Sequence, residues 1–220
     1  MGLMGYAEAL ELQRNIARDR ISGAIKQDVL LLLEHPPVVT LGRSSKEQHL
    51  VASREFLAEH GVELFEAERG GDVTFHGPGQ LVGYPIVDLK RHRQDLHWYL
   101  RQLEQVMIEM LSDYGIPAER KAGLTGVWTR GKKIASIGVH ARDWVTWHGF
   151  ALNVTTNLSY FDLIVPCGIN GVVMTSIIRE LGLERLAMTD VRDRVTASFA
   201  KAFDLTAVMM PRSVLLEPAA

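Results

Sequence analysis

Between Arg69 and Ile86 the chain places five glycines and two prolines in eighteen residues, with Arg69, Asp72, Thr74, His76 and Gln80 among them. Glycine loses more conformational freedom on folding than any other residue, and proline removes a backbone donor, so no regular element selects this composition. The stretch predicts a backbone that something approaches closely. Gly70 and Gly71 leave no Cβ in the way, and a stiff Gly77-Pro78-Gly79 turn sets where His76 and Gln80 point. A tight hairpin between two strands is the plainer reading of such a cluster. Neither G-x-G-x-x-G nor G-x-x-x-x-G-K-[ST] occurs, so the pattern is not a phosphate cradle.

A chain of 220 residues with 47% hydrophobic content can bury a full core, and no linker, repeat or low-complexity segment divides it, which predicts one domain over 1–220. The net charge of −2 lacks the basic excess of a nucleic-acid binder. The eight histidines show no zinc-ligand spacing, so no metal site is expected. Cys167 is the one cysteine, which rules out an internal disulfide and suits a reducing compartment. Glu8, Glu11, Arg14 and Arg18 argue against a secretory leader, and the aliphatic run Val29 to Leu33 is far shorter than the ~20 residues of a membrane span. A cytoplasmic protein with no membrane partner is the expectation.

Apolar periodicity predicts a helix over residues 4–22 and a strand over Asp28 to Glu34 buried on both faces. His35-Pro36-Pro37 breaks it, and Val38 to Gly42 is again extended. Ser53 caps a short helix through His60, and Val62 to Glu68 leads as a strand into the glycine stretch, which Leu81 to Val87 leaves as another. Asp95 caps the clearest helix, whose core stripe Leu96, Tyr99, Leu100, Leu103, Val106, Met107, Met110 and Leu111 runs to a stop at Gly115. Val127 to Thr129, Lys133 to Arg142 and Val145 to Thr155 form an antiparallel meander. Thr189 caps a last helix through Ala202. Hairpins mixed with longer crossovers predict a single α/β or α+β domain.

A lone cysteine is most often a buried hydrophobe. Cys167, however, lies in a loop between proline and Gly168, whose amide is expected to be free to donate to an oxyanion. A nucleophilic thiol needs a nearby base or cation, and His76, His148 and a lysine are the candidates. Strand alternation puts Lys133 with Ala135, Ile137 and Val139 toward the apolar interior, and Lys132 with Ser136 and His140; a one-residue bulge would invert this. Gly149, beside His148 in an otherwise apolar strand, suggests another close approach, although a core histidine bonded to backbone reads equally well.

Four ordered motifs carry a resemblance. The run from Arg69 to Pro85, Gly131-Lys132-Lys133-Ile134-Ala135-Ser136-Ile137-Gly138, His148-Gly149-Phe150-Ala151-Leu152-Asn153 and Pro166-Cys167-Gly168 closely resemble the lipoyl(octanoyl) transferases, the octanoyl-acyl carrier protein:protein N-octanoyltransferases of the biotin and lipoate protein ligase superfamily. The likeness implies a catalytic domain with a mixed, largely antiparallel sheet flanked by helices. It implies an acyltransferase that takes octanoyl from acyl carrier protein, holds it as a thioester on Cys167 and passes it to a lysine of lipoyl domains. The implied acceptors are the E2 subunits of 2-oxoacid dehydrogenases and the glycine cleavage H protein, in the first step of endogenous protein lipoylation.

Lys133 matches the family's catalytic lysine. The implied substrate contacts are Arg69, Gly70, Gly71, Asp72, Val73, Thr74, Phe75 and His76, then Ser136, Ile137 and Gly138, then Gly149, Phe150 and Ala151. Within them Asp72 stands at a variable family position and has no separate role. No cofactor is implied, because a thioester is reactive enough to need no ATP. Arg43, Arg69, Arg91, Arg93, Arg130, Lys132 and Arg142 are expected near the site to meet an acidic carrier. Two alternatives stand: an ATP-dependent lipoate or biotin-type protein ligase, and a non-catalytic carrier-binding module with an inert thiol.

Overall fold

The computed structural model describes residues 1–169 and 171–211, so the expected 1–220 span ends outside the described residues. Helix α1 (Tyr6–Ser22) buries Tyr6, Leu10, Ile16 and Ala17 on one side. There follow β1 (Val29–Leu33), β2 (Val38–Leu41), helix α2 (Arg54–Glu59), β3 (Glu63–Glu66), β4 (Val73–His76) and β5 (Gln80–Ile86). The Ser53 hydroxyl caps α2 by accepting from the Phe56 amide. Helix α3 (Leu96–Ser112) starts at Asp95, whose carboxylate accepts from the Trp98 amide, and its stripe from Tyr99 to Leu111 is buried. Each large apolar side chain so buried stabilises the fold by roughly 1.5–3 kcal/mol.

The meander forms as β6 (Val127–Thr129), β7 (Lys132–Arg142) and β8 (Val145–Asn153). Arg130 and Gly131 (φ 48° and 79°) make its first turn, and Asp143 and Trp144 (φ 52° and 64°) its second, both with the left-handed backbone that two-residue hairpins require. Helices α4 (Ile177–Leu181) and α5 (Met188–Ala202) follow. No helix among the described residues is long and apolar enough to cross a membrane.

The strands divide into a five-stranded antiparallel sheet, ordered β1-β5-β8-β7-β6, and a small mixed sheet, ordered β3-β2-β4. Leu103, Met107, Val195 and Phe199 from α3 and α5 cover one face of the large sheet through Ile134 and Phe150. Leu10 and Ile16 from α1 cover the other through Leu33, Val82 and Ala151. The result is the mixed α/β unit, largely antiparallel and flanked by helices, that was expected.

Three local expectations change. The Gly77-Pro78-Gly79 turn closes no hairpin, because β4 belongs to the small sheet and β5 to the large one; the turn carries the chain between layers, and the Glu34 carboxylate accepts from its Gly79 amide at 2.9 Å. Strand β1 is an edge strand with Leu31 and Leu33 buried but Leu30 and Leu32 only half-buried. The last helix starts at Met188, after Ala187, and Thr189 lies inside its first turn without capping it. Packing of Val191, Val195 and Phe199 fixes that helix, not a cap.

Gly149 is a point of contact between strands. A Cβ there would stand 2.2 Å from the Gly83 carbonyl oxygen and 2.5 Å from Pro85 Cδ on β5. Gly149→Ala is expected to cost about 1–3 kcal/mol by overpacking, read as a lower urea midpoint. An unmoved midpoint would mean that β5 and β8 separate freely at this point.

Candidate active site

Strand β7 delivers its lysine by breaking its own alternation. Val127 pairs with Ala135 and Trp128 with Lys133, so Ile134 is one residue extra, a β-bulge. Ile134 and Ala135 both join the core under α3, and Lys133 turns to the opposite side, the side of Ser136. The expected face of Lys133 is therefore inverted, whereas its burial holds, at 1% exposure. Its main chain bonds outside the sheet, to the Val173 carbonyl and the Thr175 amide, each at 2.9 Å.

Cys167 sits on a one-turn 3-10 segment, Pro166–Gly168, with φ 57°, a conformation that residues with a Cβ rarely adopt. Val165 secures the turn: its amide donates to the His49 carbonyl at 2.8 Å and its carbonyl accepts from the Gly168 amide at 2.9 Å. The Gly168 amide is thus engaged, which overturns the expectation that it is free for an oxyanion. Lys133 Nζ lies 3.0 Å from Cys167 Sγ and 5.0 Å from the centre of the Trp128 ring, and Ser136 Oγ is 3.9 Å from the sulfur.

One polar chain ties the distant motifs together. His76 Nδ1 donates to Gln80 Oε1 (2.8 Å), Gln80 Nε2 to Asn153 Oδ1 (2.9 Å), and Asn153 Nδ2 to the carbonyl of Thr175, the residue bonded to Lys133 (3.0 Å). Because every member is buried, losing one leaves its neighbours unsatisfied at about 1–3 kcal/mol each. Buried Arg69 donates to the Thr40 carbonyl (2.7 Å) and hydroxyl (2.8 Å). Burial draws its guanidinium below the usual arginine range, against the opposing pull of the Tyr6 hydroxyl and the Cys167 thiol.

A cavity of about 240 Å³ connects these groups. Exposed Gly71 and Gly123 border it near the thiol, Val82, Ile137, Phe150 and Ala151 wall it, and the buried side chains of Tyr6, His76, Tyr84 and His148 close it. Asp72, Thr74, Ser136, Gly138 and Gly149 also line it. Gly70, Val73 and Phe75 lie off it. Val73 and Phe75 alternate onto the far face of β4, against Val39 and Phe161, and the Gly70 amide bonds to the Val139 carbonyl at 2.8 Å.

The chain matches the lipoyl protein ligase A/B catalytic domain model over residues 5–200. It belongs to that family. Within it, the chain is 50% identical over 215 residues to an octanoyltransferase of Solibacter usitatus, covering 98% of this chain and 95% of that one. It is 52% identical over 200 residues to an octanoyltransferase of Rubrobacter xylanophilus, covering 90% and 89%. Among solved structures, lipoate-protein ligase A bound with ATP superposes with a TM-score of 0.77 at 16% identity, over 98% of this chain and 90% of that one. A bi-partite lipoate protein ligase from Thermoplasma acidophilum superposes with a TM-score of 0.74 at 16% identity, over 97% and 89%. At such identity the likeness to the ligases establishes the fold alone.

Three features of this family member were not foreseen. Glu104, on the apolar stripe of α3, is fully buried, accepts from the Gly126 amide (3.1 Å) and pairs with Arg101 and Arg120 (2.6 and 3.0 Å). It thereby holds Gly126 against Lys133, where a Cβ would stand 2.8 Å from Cε. A carboxylate inside an apolar helical stripe was the available signal. Tyr6 on α1 reaches the cavity, which its place in an amphipathic pattern did not reveal. Of the cations expected near the site, Arg69 lines the cavity but is buried, Arg130 and Lys132 pair with Glu180 (2.9 and 3.5 Å), and Arg142 lies at the other end of the meander, roughly 23 Å along the strands from the Ala135–Leu152 pair.

Buried histidines make the fold acid-sensitive. His35 donates from Nδ1 to the Met4 carbonyl and accepts at Nε2 from the Tyr84 hydroxyl, both at 2.7 Å. Burial pushes His35 down to about 4 and His148 down to about 3, and carries His76 well below 6.5. The unfolded chain takes up these protons near pH ~6.5, where the folded chain still refuses them. Stability is therefore expected to be full above about pH 6.5 and to fall as pH drops toward 4, by up to roughly 1.4 kcal/mol per pH unit for each histidine. Urea midpoints at pH 7 and 5 check this; equal midpoints would contradict it.

Proposed function

We propose that this chain transfers an octanoyl group from acyl carrier protein to a lysine of lipoyl domains, with Cys167 as the intermediate acceptor and Lys133 as its base. The observation that carries the reading is the 3.0 Å approach of Lys133 Nζ to Cys167 Sγ beside an apolar cavity. Relatives about 50% identical over nearly the whole chain and named octanoyltransferase support it. The acceptors we assign are the lipoyl domains of 2-oxoacid dehydrogenase E2 subunits and the glycine cleavage H protein, in the cytoplasm, where a lone thiol stays reduced.

In the first half-reaction Lys133 removes the thiol proton and the sulfur attacks the octanoyl thioester carbonyl. The carbon–sulfur bond to the carrier breaks, and the carrier thiol departs with the proton that Lys133 holds. In the second half the acceptor amine attacks the Cys167 thioester, its proton passes to Lys133, and the Cys167 sulfur leaves. Both steps exchange acyl groups without ATP. With the Gly168 amide engaged, we assign oxyanion stabilisation to the Ser136 hydroxyl on the cavity wall.

The test is incubation with octanoyl-acyl carrier protein and no ATP, an acid quench, and peptide mass analysis. An octanoyl group on the Cys167 peptide, removed by adding a lipoyl domain, is the expected result. Acylation of the lipoyl domain that needs ATP and free octanoate would instead favour a ligase.

A further inference from the structure

The cavity is apolar along its walls and polar at its closed end. There, both ring nitrogens of His148 and the hydroxyl of Tyr6 have no hydrogen-bond partner among the described residues, although the two residues are 1% and 2% exposed, and Glu68 Oε1 stands 3.9 Å from His148 Nε2. His148 reaches this position through a backbone anomaly. Strand alternation would aim it with Phe150 into the core under α3, but its φ is 55°, and its amide donates to Gln13 Oε1 of α1 at 2.9 Å. The neighbouring strand permits this: the β5–β8 pairing stops at Gly83–Phe150, just before Pro85, which has no amide to offer. A strained residue that lines a cavity, with its ring buried and without a hydrogen bond among the described residues, points to a role toward what fills that cavity.

Resting on the octanoyl-transfer reading, we propose that His148 and the Tyr6 hydroxyl form a polar floor that sets the length of acyl chain accepted at Cys167. The sulfur stands at the level of Ser136, which pairs with Ala151, and His148 lies three residues further along β8. That span is roughly 10 Å, about the extended length of an eight-carbon acyl chain. An octanoyl chain ends at these packed side chains. A decanoyl chain must press between them and set its terminal methyl against ring nitrogens and a hydroxyl that it cannot bond, a penalty of about tenfold or more in specificity.

The experiment compares acyl-enzyme formation from octanoyl- and decanoyl-acyl carrier protein in the parent, in Tyr6→Phe, and in Tyr6→Phe/His148→Leu. The double variant is expected to raise the decanoyl-to-octanoyl ratio of kcat/KM by about tenfold. Tyr6→Phe keeps the ring and removes only the hydroxyl, so it tests the floor even if the double variant folds poorly; it is expected to move the ratio by roughly threefold. A ratio unmoved in Tyr6→Phe and in a folded double variant overturns the floor and leaves the transfer reading standing. A parent that forms no acyl-enzyme from either donor overturns the transfer reading, and the floor with it.

Discussion

Cys167→Ala is expected to lower kcat/KM for octanoyl transfer by on the order of 10⁴-fold or more, the scale on which enzymes lose a covalent nucleophile. The fold is expected to survive, since the thiol is only half-buried and alanine tolerates the left-handed backbone no worse than cysteine does. Unfolding midpoints should therefore match while the trapped octanoyl adduct disappears. The informative contrary result is a Cys167→Ala protein that still acylates a lipoyl domain from octanoyl-acyl carrier protein. It would mean that the acceptor amine attacks the carrier thioester directly, and Lys133 would be left as a base without a thiol to serve.

Lys133→Met is expected to reduce the same rate by roughly 10²–10⁴-fold, the usual contribution of a general base. Stability should not fall with it. The variant removes an amine that is 1% exposed and replaces it with a flexible apolar chain of similar length. Activity lost while the midpoint holds or rises is the signature of a site built at the expense of stability. Lys133→Arg should not rescue: a guanidinium stays protonated and cannot accept the thiol proton, and Gly126 packs too closely on Cε to admit its width. Alkylation of Cys167 at neutral pH gives a second readout and is expected to slow in Lys133→Met. Unchanged alkylation and unchanged turnover together would remove Lys133 from the chemistry.

Much of this molecule was legible before any coordinates. The caps at Ser53 and Asp95, the stripe of α3 and the meander all follow from local rules: a side-chain oxygen satisfies the first free amides of a helix, and apolar spacing reports which face is buried. What failed locally failed for tertiary reasons. The Gly77-Pro78-Gly79 turn reads as a hairpin because a turn says nothing about which partner each flanking strand will find. Lys133 reads onto the wrong face because one extra residue at Ile134 reverses everything before it, and a bulge is specified by the facing strand. The Gly168 amide reads as free because its acceptor, the Val165 carbonyl, depends on a turn that the dipeptide does not announce.

The amino-acid sequence alone determined that a cysteine, a lysine and a glycine-rich wall exist in this order, and with them the family and the class of reaction. It could do so because those residue types are required by the chemistry wherever the chain carries them. Only the folded molecule decided that Lys133 meets Cys167 at 3.0 Å, that Glu104 and the chain from His76 to Thr175 hold the two in place, and that the cavity ends on His148 and Tyr6. Each of those depends on strands and helices far apart in the chain coming into register. Register comes from burying whole faces at once, and no single motif encodes it.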